Sequence, residues 1–64
     1  MKFAKIGSKY INIDRIAYID IKKMTIYLNY YNGFTDIYFG DEFRFSEDFE
    51  NTIIEVLNNY NKAN

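Results

Sequence analysis

Apolar and polar residues alternate over most of the first forty positions of this 64-residue chain, and the alternation is cut at points where turn residues stand. Period-two alternation predicts half-buried strands. In "KFAKIGSKYINI" a Gly-Ser pair at Gly7-Ser8 suits a type II′ hairpin turn, because that turn needs positive φ at its first central residue. The register then sets Ile6 opposite Lys9, Ala4 opposite Ile11 and Lys2 opposite Ile13. Ala4, Ile6, Ile11 and Ile13 share one face, with Phe3, Lys5, Tyr10 and Asn12 on the other. Asp14-Arg15 breaks the pattern and "IAYIDI" resumes it, with Ala17, Ile19 and Ile21 opposed to Ile16, Tyr18 and Asp20.

Lys22-Lys23 is weak punctuation with no glycine or asparagine, so a loop longer than two residues is expected there. Asn32-Gly33 reads as a type I′ turn, which would pair Tyr31 with Phe34, Leu28 with Ile37, Tyr27 with Tyr38 and Ile26 with Phe39. Gly40 marks a bulge or bend before "DEFRF", which either continues the strand or returns as a short edge strand. Ser46 suits an N-cap, and Glu47, Asp48 and Glu50 put negative charge at the positive end of a helix dipole. Phe49, Ile53, Val56, Leu57 and Tyr60 follow at helical spacing, a stripe expected to dock on Ile19, Ile26 or Leu28. The reading is an α+β fold: an antiparallel sheet of roughly four to five strands with a single C-terminal helix packed on one face. It is one small domain over residues 1–64, with strands at about 2–45 and the helix at about 47–61.

Composition narrows the chemistry. With 48% hydrophobic and 20% aromatic residues the chain has the material for a core. It contains neither cysteine nor histidine, which removes disulfides, thiolate metal sites and the usual general base near pH 7. Ser8 and Ser46 sit where turn and cap chemistry explain them, and neither has a histidine to activate it. "GSK" at Gly7–Lys9 lacks the first glycine of a phosphate loop. Asp41, Glu42, Glu47, Asp48 and Glu50 do not follow the spacing of a calcium loop, and read as solvated surface. No enzyme activity, cofactor or metal is expected. No membrane span or signal peptide is read, and a cytoplasmic protein is the default.

Net charge is −1 but unevenly placed. Residues 1–23 carry six bases against two acids, and residues 24–64 carry two bases against seven acids. The halves form a solvated surface and attract one another within one chain; the alternatives are head-to-tail contact between copies or an anionic partner for the N-terminal half.

Tyrosine concentrates in "MTIYLNYYNGFTDIYF", Met24–Phe39. The expected pairings set Tyr18, Tyr27 and Tyr38 side by side on the sheet face away from Ile26, Leu28 and Ile37, flanked by Tyr31 and Phe34. One helix shields one sheet face, so this aromatic face is left for water or a partner. The leading reading is a small non-enzymatic interaction or regulatory module that binds protein, or its own copies as a homodimer, through these five residues. The alternative is a single-stranded nucleic-acid-binding module, with bases stacked on the tyrosines and Lys5, Lys22 and Lys23 supplying charge. Asp20 and Asp36 on the same face disfavour that alternative.

The order of elements resembles small bacterial proteins of the FlbD-like flagellar family. The likeness lies in "IGSKYINIDRIAYID", "TIYLNYYNGFTDIYF" and "SEDFENTIIEVLNNY", at Gly7, Asn12, Asp14, Ile16, Ile19, Asp20, Asn32 and Gly33. It implies a hairpin-rich sheet with a C-terminal helix and a regulatory, non-enzymatic role, and it brings no set of functional residues.

Overall fold

The computed structural model describes residues 2–62. Strands β1 (Phe3–Ile6) and β2 (Lys9–Asn12) form a two-stranded antiparallel sheet; β3 (Ile16–Asp20), β4 (Thr25–Tyr30) and β5 (Gly33–Tyr38) form a second antiparallel sheet in sequence order. Among the described residues a single helix, α1 (Ser46–Lys62), follows the strands. The α+β class and the lone C-terminal helix therefore match the sequence reading, while the expected single sheet of four to five strands is divided in two.

The division has a local cause. Residues Ile13–Arg15 form one 3-10 turn between β2 and β3, and the Asn12 side chain accepts a hydrogen bond from the Asp14 N–H at 3.1 Å. An Asx-type bond of this kind offers the backbone an alternative to the ladder. It ends β2 before β3 begins, so the two strands do not pair.

The first hairpin has the expected register, Ala4 opposite Ile11 and Ile6 opposite Lys9, extended by the Ile13 N–H to the Lys2 carbonyl at 2.8 Å. Gly7 carries φ +61°. Its tip is tied to the turn that follows β5. The Ser8 N–H donates to Glu42 Oε1 at 2.6 Å, and Lys9 Nζ pairs with the same carboxylate. A side chain at Gly7 would run into that carboxylate. The Lys9 ammonium also lies 4.9 Å from the centre of the Phe39 ring. The bond to Lys9, with the Ser8 N–H, lowers the Glu42 carboxyl below its ordinary value, and the bond to Glu42 raises Lys9.

β3 and β4 are joined by a four-residue loop, Ile21–Met24, closed by the Met24 N–H to the Ile21 carbonyl at 3.1 Å. Met24 takes φ +50° there, a left-handed conformation without a glycine. A bulge between Ile16 and Tyr18 puts Ile16, not Ala17, opposite Leu28 and packs Ile16 against the core. That corrects the strict alternation read for "IAYIDI".

The second hairpin departs from the type I′ reading. Asn32 is not in the positive-φ region; Gly33 alone is, at +116°. Tyr30 pairs with Gly33 across the two turn residues Tyr31 and Asn32, the arrangement of a turn followed by a glycine bulge. Every partner moves by two residues: Ile26 faces Ile37, Tyr27 faces Asp36 and Thr25 faces Tyr38. Because the displacement is even, no side chain changes face.

Gly40–Glu42 turn back on Phe39, with the Glu42 and Phe43 N–H groups both donating to its carbonyl at 3.0 Å. The segment 39–45 is thus turn and loop, and the last strand ends at Tyr38. At the start of α1 the Phe45 carbonyl accepts from Asp48 and Phe49 at 3.1 and 3.3 Å, so Phe45 takes the N-cap position expected for Ser46.

The core lies where the helix meets both sheets: Ile6, Ile11, Ile26, Leu28, Phe39, Phe49 and Ile53 are buried together. Phe49 has no exposed surface, and its ring lies 5.5 Å from Phe39 and 5.6 Å from Phe43. Tyr60 is half-buried and its hydroxyl donates to Asp14 Oδ1 at 2.7 Å, a bond that raises the phenol pKa. Leu57, read as part of the buried stripe, is exposed. Among the described residues no helix is long and apolar enough to cross a membrane.

Candidate functional site

The buried face of the three-stranded sheet takes Ile19, Ile26, Leu28 and Ile37. The strand period then forces Tyr18, Asp20, Thr25, Tyr27, Asn29, Phe34, Asp36 and Tyr38 onto the other face. Three of the rings form one cluster. Tyr18 and Tyr27 are directly opposite and stacked, centroids 4.3 Å apart and planes at 17°. Phe34 reaches across from β5 and meets Tyr18 edge-on at 6.4 Å. Tyr18 is 55% exposed and Phe34 65%, while Tyr27 between them is half-buried. The rings pack on one another and still face solvent.

The other two aromatic candidates stand apart. Tyr38 is opposite Thr25 rather than Tyr27, and its ring folds over Gly40, where a side chain would collide with it. Tyr31 is 95% exposed at the hairpin tip, with the Arg15 guanidinium 5.6 Å from its ring and 5.8 Å from that of Tyr30. Arg15 and Tyr30 were missed in the sequence reading. The available signal was the interruption at Asp14-Arg15, which places Arg15 in the 3-10 turn rather than on a strand.

The cations proposed for nucleic acid are not brought together on this face. Lys5 lies on β1, in a groove of about 370 Å³ between that strand and α1, with Ala4, Val56 and Tyr60. Lys22 and Lys23 lie in the β3–β4 loop, where the Lys23 N–H donates to Asp20 Oδ1 at 3.0 Å. Strands β3, β4 and β5 contain two aspartates, Asp20 and Asp36, and no lysine or arginine. Among the described residues no group of acidic side chains is placed to hold a metal ion.

The chain matches no family model, no curated protein and no solved structure.

Proposed function

We propose that this protein is a small non-enzymatic binding module whose aromatic sheet face engages another protein. The observation that supports this reading most is the Tyr18–Tyr27 stack with Phe34 edge-on to Tyr18, a packed yet exposed ring cluster on a face the helix does not cover. Ordered aromatic side chains give large contact area at little entropic cost, and tyrosine is enriched among the residues that dominate interface energy. Such a module suits a regulatory role.

A second reading, single-stranded nucleic acid, draws on the same stack, since bases pile on aromatic platforms. It is disfavoured by the absence of any cation on the three strands, because phosphate contacts carry most of that affinity. The test is retention from an extract of the producing cells on the immobilised protein, compared with a Tyr27→Ala/Phe34→Ala double variant of matched fold. A protein retained by the parent and lost by the variant supports the reading. Retention that is equal for both, or that disappears with nuclease, contradicts it.

A further inference from the structure

The aromatic face adjoins an open backbone edge, and the two together specify how a partner would dock. This step rests on the face being a binding surface and adds the partner's conformation and charge. In an antiparallel ladder, residue pairs alternate between those that exchange hydrogen bonds and those that do not. The Phe39 N–H donates to the Met24 carbonyl at 2.7 Å, which fixes the phase. Ile37 and Thr35 therefore turn their backbone groups toward β4, and Phe34, Asp36 and Tyr38 turn theirs outward. Among the described residues no segment hydrogen-bonds to that edge. The same three residues carry their side chains on the aromatic face, so an added strand would meet the backbone edge and the Asp36 carboxylate at once, next to the ring cluster.

Charge selects the occupant. Asp36 stands opposite Tyr27 and makes no hydrogen bond or ion pair with any described residue. Two copies joined edge to edge over Phe34–Tyr38 would set their Asp36 carboxylates directly opposite each other, and like charges in that position are destabilising. A strand bearing a cation there would satisfy Asp36, with Phe34 and Tyr38 as the flanking side chains on β5. We propose that β5 accepts an extended segment of another protein as a fourth strand, with a lysine or arginine opposite Asp36.

The experiment titrates the ¹⁵N-labelled full chain with the blocked peptide Thr-Val-Thr-Lys-Thr-Val-Thr, with the same peptide carrying Glu in place of Lys, and with oligothymidylate. Shifts at the amides of Phe34, Asp36 and Tyr38, with the Lys peptide bound about tenfold more tightly than the Glu peptide, are expected. Asp36→Lys should reverse that order, and Asp36→Asn should flatten it. Glu and Lys peptides of equal affinity, both lost in Tyr27→Ala, would remove the charge-matched strand and leave the aromatic-face reading intact. Peptide shifts confined to the groove between β1 and α1, or no shifts at millimolar peptide, would overturn strand addition at β5, while the aromatic-face reading stands or falls with the extract experiment. Oligothymidylate displacing the peptide from these amides, or the same amides shifting with protein concentration alone, would also overturn the proposal, in favour of nucleic acid or a second copy respectively.

Discussion

At the tip of the first hairpin, Ser8 and Lys9 both reach the Glu42 carboxylate, and behind them Ile6 and Ile11 are buried against α1 and Phe39. The second hairpin also turns on a positive-φ glycine, yet Tyr31 at its tip is nearly fully exposed and the outer edge of β5 pairs with nothing among the described residues. Turn chemistry is similar in the two; what differs is what packs on them. In the first, Ile6 and Ile11 close a core while Phe3 and Tyr10 stand exposed on the outer face. In the second, Ile26 and Leu28 close the same core, and the outer rings Tyr27 and Phe34 pack on Tyr18 of β3 and still face solvent. Both hairpins thus leave an outer aromatic face out of the core, and only in the second are the rings clustered, which is the feature the proposed binding role draws on.

The contrast can be tested through stability. Phe49→Ala should lose about 3–5 kcal/mol, and Ile53→Ala about 2–5 kcal/mol, in urea or thermal unfolding, because both side chains fill the common core. Tyr27→Ala, which removes the stacked pair, should lose no more than about 1.5 kcal/mol. A Tyr27→Ala loss as large as that of Phe49→Ala would mean the aromatic face is structural.

Gly7→Ala should have an intermediate effect, about 1–3 kcal/mol, since the position needs φ +61° and the space beside Glu42. An unchanged melting midpoint would show that the first tip is not held as described.

The smallest effect belongs to Glu42→Gln, and its pH dependence carries the information. Glu42 has a lowered pKa in the folded state, so its contribution is complete above the ordinary glutamate range and is lost as pH falls through the folded value. Lys9 has a raised pKa, so its part is complete below the ordinary lysine value and is lost as pH rises through the folded one. Parent and variant should therefore differ slightly at pH 7 and converge in acid. A difference that grows in acid would contradict the assignment.

The first hairpin was legible because Gly7-Ser8 admits one tight turn that agrees with the apolar pattern on both sides. Asn32-Gly33 admits two, one with both residues at positive φ and one with glycine alone, and local sequence does not choose between them. The two differ by an even displacement, so the aromatic face was legible while the partner of Tyr27 was not. The Ile16–Tyr18 bulge and the 3-10 turn at Ile13–Arg15 were hidden for a related reason. Each is a local adjustment of one to three residues that lets apolar residues reach the core, and alternation alone does not reveal it. "DEFRF" has strand-like spacing, but Phe43 packs on the core and Glu42 is drawn to the first hairpin, which bends the segment into turns. The stacked Tyr18–Tyr27 pair was foreseeable because the longer Ile21–Met24 loop keeps the pairing a tight turn would give.

Amide hydrogen exchange across β5 in the free protein at low micromolar concentration tests the central claim most directly. An open edge beside the aromatic face should give an alternating pattern, with the Thr35 and Ile37 amides protected by β4 and those of Phe34, Asp36 and Tyr38 exchanging fast. Protection of all five, with Phe34, Asp36 and Tyr38 as slow as their neighbours, would show that the edge is already occupied and would contradict the account.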